Sequence, residues 1–121
     1  MRDMLPRLFF VHFADTSFVA ERDGDLAGFL VGFLSQSRPE EAYVHFVGVR
    51  PDERSTGLGR ELYERFFAVA RGRGRRRVSC VTSPANAGSL AFHEALGFEA
   101  SPPQPGYDGP GEDRVVLTRT L

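Results

Sequence analysis

The chain contains no lysine: all 15 of its basic residues are arginine. A phosphate-binding loop of the type G-x-x-x-x-G-K-[ST] uses its lysine to reach the phosphates, so that device is excluded. Cysteine is almost as scarce. Cys80 stands alone, has no partner for an internal disulfide, and fits a reducing cytoplasm. No apolar run approaches the ~20 residues of a membrane-spanning helix. The N-terminal stretch MRDMLPRLFFVHFADT has a short apolar core, but acidic Asp3 and the lack of an A-x-A site argue against a signal peptide. Nor is one sign of charge in excess. With 15 basic and 16 acidic residues, no long-range field favours nucleic acid or an anionic membrane.

What is present supports one packed domain. Apolar residues make up 41% of 121, and a chain of this size buries roughly two thirds of its unfolded surface on folding. Residues 1–14 leave their class open: Leu5, Leu8, Phe9 and His12 fit one helix face, with Pro6 suited to a first turn. SFVAER and LAGFLVGFLSQ read as two strands joined at Asp23-Gly24. AYVHFVGVR is a third strand, whose alternation places Tyr43, His45, Val47 and Val49 on one face. From Gly57 the period becomes helical, with Leu58, Leu62, Phe66 and Val69 as a stripe and Arg60–Glu64 and Glu61–Arg65 as i,i+4 pairs. Gly72 and Gly74 end that helix. RRVSCVT is a further strand. SPANAGSLAFHEALGF is a short helix with Asn86 as N-cap and Gly97 past its end. A proline- and glycine-rich loop then leads to a last strand, RVVLTRTL. This order predicts an α/β (α+β) sandwich with a mixed sheet.

The junction VGVRPDERSTGLGRELYERFF carries the functional signal. A glycine-rich turn entering a helix offers unpaired N–H groups and the positive end of the macrodipole to an anion. The dinucleotide fingerprint G-x-G-x-x-G fails here, because position 62 is Leu62. What remains is Arg54-Ser55-Thr56-Gly57-Leu58-Gly59, R-x-x-G-x-G, directly after a strand. This stretch resembles the acetyl-CoA motif Q/R-x-x-G-x-G/A of the GCN5-related N-acetyltransferase (GNAT) superfamily, and AFHEALGF is similar to that family's LYEKLGF segment. The resemblance runs from about Ser17 to Leu121.

The resemblance implies a mostly antiparallel sheet flanked by helices, with a splayed parallel strand pair forming an acetyl-CoA cleft. Residues 17–121 would be the acetyltransferase domain and 1–16 an N-terminal remnant or partial helix. Backbone N–H groups of Arg54, Ser55, Thr56, Gly57, Leu58, Gly59 and Arg60 would hold the pyrophosphate. Val47, Gly48 and Val49 would pair with the pantetheine arm, and an N–H near Val47 or Val49 would face the thioester oxygen. Gly48 inside a strand suggests a bulge or a close approach. Asn86 and Ser89 would contact the co-substrate from the second helix, although Asn86 also suits a plain cap.

For proton transfer the resemblance offers His93, where the family often has a tyrosine that protonates the CoA sulfur; the alternative is a histidine packed on its helix. His45 and Tyr43 are candidates for a base or water relay, against a histidine satisfied in the core. Glu41 reads mainly as a loop charge, and Cys80 as a core thiol. Tyr107 sits on an irregular loop of the kind that bears specificity. The run Arg71–Arg77 reads as a solvated helix end, with a contact to the CoA 3′-phosphate as an alternative. No metal ligand set is visible. The acceptor is expected to be a small-molecule or peptide amine. The family normally begins with a strand and two helices, so a short N-terminus predicts an exposed patch of Leu8, Phe9, Phe10 and Phe13, and a homodimer. A catalytically weak acyl-CoA-binding domain is the competing reading.

Overall fold

The computed structural model describes residues 7–54 and 56–121. Six strands, β1 (Phe18–Arg22), β2 (Asp25–Leu34), β3 (Glu41–Val49), β4 (Arg77–Thr82), β5 (Glu99–Ala100) and β6 (Val115–Thr120), form one sheet in the order β1-β2-β3-β4-β6-β5. Helices α1 (Arg7–His12), α2 (Leu58–Gly72) and α3 (Ala87–Ala95) complete it. All neighbouring strands are antiparallel except β3 and β4. The mixed α/β class and its parallel pair are as expected. The two-residue strand β5 was not anticipated: it lies in what sequence reading treats as loop.

Local chemistry sets the ends of these elements. Asp23 and Gly24 both take positive φ (56° and 82°), the geometry of a tight hairpin turn. Asn86 caps α3, its side-chain oxygen accepting from the Ser89 N–H at 3.0 Å, and Gly97 follows the helix at φ 91°. Helix α2 buries Leu58, Leu62, Tyr63, Phe66, Phe67 and Ala70 against one face of the sheet. Val69 is only half-buried, and the stripe is widened instead by Tyr63 and Phe67. The expected Arg60–Glu64 and Glu61–Arg65 pairs are not among the ion pairs formed by the described residues. Arg60 instead donates to the Ala95 carbonyl at 3.3 Å, and the Arg65 guanidinium lies 4.5 Å over the Phe18 ring.

Strand β3 corrects the single-face reading. Val31 pairs with Phe46 but Gly32 pairs with Val44, so His45 is an extra residue in a β-bulge. A bulge resets the alternation. Tyr43 and His45 therefore point to one side, stacking on Phe33 and Phe9 at 5.3 and 5.1 Å. Val47 and Val49 point to the other, into the core under α2. Gly48 is not the bulge; a Cβ there would stand 2.6 Å from the Phe29 ring, which explains the glycine.

The second face of the sheet is covered by α1. Phe9 is buried with Phe29 and Val31, while Phe10, Phe13 and Phe33 pack around them. The expected exposed patch is thus corrected: Phe9 is buried, Phe10 and Phe13 are half-buried, and Leu8 alone of the four is exposed. His12, assigned to the same face as Phe9, is exposed too, and Leu5 and Pro6 lie outside the described residues. In the arginine run, Arg73 pairs with Asp15 at 3.2 Å and Arg77 with Glu40 at 3.4 Å, while Arg75 Nη1 donates to the Ser35 carbonyl at 3.1 Å. No helix among the described residues is long and apolar enough to cross a membrane.

Candidate active site

Strands β3 and β4 pair only at Glu41–Tyr43 with Arg77–Ser79. Beyond that point, where the His45 bulge turns β3 aside, the two strands separate. The gap opens into a cavity of about 1270 Å³ reaching from Arg50, Pro51 and Arg54 to Asn86, Ser89 and His93. At its first end the glycine turn enters α2. Gly57 takes φ 85°, no side chain caps the helix, and open space surrounds the position where a Cβ would stand. Helix N–H groups that no side chain caps suit an anionic group. Gly59 has a different reason: a Cβ there would approach the Phe92 ring to 3.0 Å, where α2 starts against α3.

Of the residues expected here, Val47, Gly48, Val49, Arg54, Gly59, Asn86, Ser89, His45 and His93 line the cavity. Others do not. Leu58 is buried in the core, Thr56 turns its hydroxyl back to Glu53, and Arg60 reaches the end of α3. Gly57 contributes only backbone, and Ser55 lies outside the described residues. Tyr43 faces the α1 side, where burial, with smaller contributions from Tyr107, Cys80 and Asp108, pushes its phenol up to about 12.

His93 is 5% exposed and fully engaged. Its Nδ1 lies 2.7 Å from the Ser89 carbonyl, which can only accept, so Nδ1 carries the proton. Nε2 is then the acceptor for the Tyr63 hydroxyl at 2.7 Å. Burial lowers the imidazole below its usual pKa, against a smaller opposing effect of the Ser89 bond. Tyr63, absent from the sequence reading of the site, is fully buried and its phenol is raised well above 10 by burial. The available signal was its place beside the α2 stripe, adjacent to Leu62. Cys80 lies 3.9 Å from the same hydroxyl, and burial pushes its thiol up to about 12. The wall between α2, α3 and β4 is therefore neutral at physiological pH.

A stability consequence follows. An unfolded imidazole gains a proton near pH 6.5, while folded His93 resists it. The contribution of neutral His93 is present above that pH and is lost as pH falls below it. Melting at pH 7.5 and 5.5 should show the wild type losing more stability than His93→Gln over that interval. Equal losses would remove His93 as the cause.

An α/β domain with a splayed parallel pair ending at an uncapped, glycine-led helix is the architecture of an acyl-CoA-type cleft. The family model described as the acetyltransferase (GNAT) family matches residues 2–98, and the chain belongs to that family. An L-2,4-diaminobutyric acid acetyltransferase from Nocardia farcinica is 33% identical over 84 residues, 69% of this chain and 44% of that protein. A mycothiol acetyltransferase from Thermobispora bispora is 39% identical over 85 residues, 67% of this chain and 29% of that protein. The chain thus spans less than half the length of these two curated relatives. Among solved structures, yncA from Salmonella typhimurium, determined with its cofactor acetyl-CoA, superposes with a TM-score of 0.72 at 25% identity, covering 87% of this chain and 64% of that one.

Proposed function

We propose that this chain transfers the acetyl group of acetyl-CoA to a primary amine by direct attack on the thioester. The observation that carries the reading is the opening between β3 and β4, which begins at the uncapped start of α2 and runs past the free edge of β3. Acetyl-CoA supplies an activated acetyl thioester. The N–H groups of Gly57, Leu58, Gly59 and Arg60 at the start of α2 would bind its pyrophosphate. Those of Arg54 and Thr56 are donated within the turn to the Pro51 and Glu53 carbonyls and shape it instead. Val47, Gly48 and Val49 would hold the pantetheine arm as a strand partner. A backbone N–H near Val47 or Val49 would stabilise charge on the carbonyl oxygen. Asn86 and Ser89 would orient the arm from α3. His45, exposed on the bulge and lining the cavity, is the better placed of the two β3 candidates to accept a proton through water; Tyr43 lies beyond the cavity wall.

The acceptor is a small-molecule or peptide amine. Likeness to a diaminobutyric acid acetyltransferase supports the small-molecule case. The lone buried thiol supports a cytoplasmic location. Exposed Leu8 and Val11 support a homodimer, for which sedimentation equilibrium should give twice the chain mass; a monomer would remove that proposal.

One observation favours the second reading, an acyl-CoA-binding domain with weak turnover. Both ring nitrogens of His93 are committed to protein partners, which leaves it no free proton for the departing thiolate. Calorimetric titration of acetyl-CoA, followed by thiol release across a panel of amines, separates the readings. Binding with release establishes the enzyme. Binding without release for any amine supports the binding domain, and no binding rejects both.

A further inference from the structure

Glu53 is the only carboxylate among the buried side chains described, 7% exposed. It ends a short 3-10 turn, Pro51–Glu53, between β3 and the glycine turn. Its Oε2 accepts from Arg22 Nη2 at 3.1 Å, and its Oε1 lies 3.7 Å from Arg50 Nη2. The Thr56 hydroxyl lies 2.7 Å from the Glu53 carbonyl and 3.0 Å from Oε2, so its hydrogen is shared between them. The Thr56 N–H donates to the same carbonyl at 3.3 Å.

Taking a carboxylate out of water is costly unless cations and hydrogen bonds compensate it. This one is compensated by three segments at once: the end of β1 through Arg22, the end of β3 through Arg50, and the glycine turn through Thr56. Such a charge beside a turn that attracts anions would be self-defeating if it faced the ligand. It does not line the cavity, whereas Arg50, Pro51 and Arg54 around it do. The carboxylate therefore holds the turn from behind.

We infer that Glu53 is a positioning residue that sets the glycine turn, through Thr56, Arg50 and Arg22, in the shape that receives the pyrophosphate of acetyl-CoA. This rests on the proposed reading of the cleft. Substitution at Glu53 acts on the nucleotide end of the ligand and leaves its acetyl-pantetheine end alone. That selectivity separates positioning of the turn from general damage to the fold.

The test compares two probes, acetyl-CoA by calorimetry and acetyl-pantetheine, which lacks the pyrophosphate, by NMR titration. Glu53→Ala should raise the acetyl-CoA dissociation constant about tenfold or more and Thr56→Val about threefold, an effect the size of one or two hydrogen bonds. Acetyl-pantetheine affinity should stay within about twofold of wild type in both. Glu53→Gln, whose amide oxygen still accepts from Thr56, should fall between wild type and Glu53→Ala. Thr56 is exposed, so Thr56→Val keeps the inference testable if Glu53→Ala does not fold. Unchanged acetyl-CoA affinity, or equal losses for both probes, would overturn the inference while leaving the cleft reading intact. Failure of the wild-type chain to bind acetyl-CoA would overturn both.

Discussion

Gly57→Glu should abolish acetyl-CoA binding, raising the dissociation constant by at least about 50-fold in calorimetric titration. Two effects add. Gly57 sits at φ 85°, where a side chain costs about 1–2 kcal/mol. The new carboxylate also stands at the start of α2, in the space proposed for the pyrophosphate. Nothing lies within 4 Å of a Cβ built there, so the side chain leaves the backbone into open space and the fold should survive. Gly57→Ala carries the backbone cost without the charge and serves as the control. It should lose stability by about 1 kcal/mol and bind acetyl-CoA far better than Gly57→Glu. If both variants bind as wild type does, the turn is a structural connection only.

The largest loss of stability should come from Gly32→Val. A Cβ on Gly32 would stand 2.7 Å from the Phe66 ring and 2.7 Å from the Tyr43 carbonyl. The ring belongs to α2 and the carbonyl to β3, so relief requires moving a helix or opening a strand pair. Forcing extra carbons into such a contact costs about 3 kcal/mol, near the top of the usual overpacking range. For a domain of this size that corresponds to a melting point lower by roughly 10 °C. Gly72→Ala is the counterpart: no atom lies within 4 Å of its Cβ site and it closes α2, so the change should be neutral or stabilising by up to about 1 kcal/mol. Gly32 also pairs with Val44, next to the bulge, and its substitution should disturb the cleft as well as the core. A wild-type melting point for Gly32→Val would mean that α2 and β2 are not in contact as described.

Elements governed by local chemistry were legible in the sequence. The hairpin at Asp23-Gly24, the limits of α2 between Gly57 and Gly74, and the cap at Asn86 all follow from backbone preferences of single residues. The His45 bulge was not, because an extra residue in one strand is defined only by its partner, and alternation in β3 alone reads straight through it. That one residue moved Tyr43 and His45 away from the face of Val47 and Val49. The coverage of the second sheet face by α1 likewise depends on Phe9 finding Phe29 and Val31, which lie far along the chain. In the site, the glycine turn and Asn86 stood out from spacing. Tyr63 and Glu53 did not: one looks like an ordinary core aromatic and the other like a solvated acid until their partners on other elements are known.

An open sheet ordinarily has two rims, here the outer sides of β1 and β5. This sheet has two more inside it, because β3 and β4 stop pairing after three residues each. Cys80–Thr82 still pair with β6 on one side, but on the other their backbone faces the cavity, as does the far half of β3. Interior rims of this kind are kept from acting as templates for foreign strands by their shortness on β4 and their bend on β3. The same pair of rims makes the sheet a frame with one slat left out. An arm with amide groups along it, such as the pantetheine arm proposed for this cleft, would fill the missing slat without any protein strand being rebuilt.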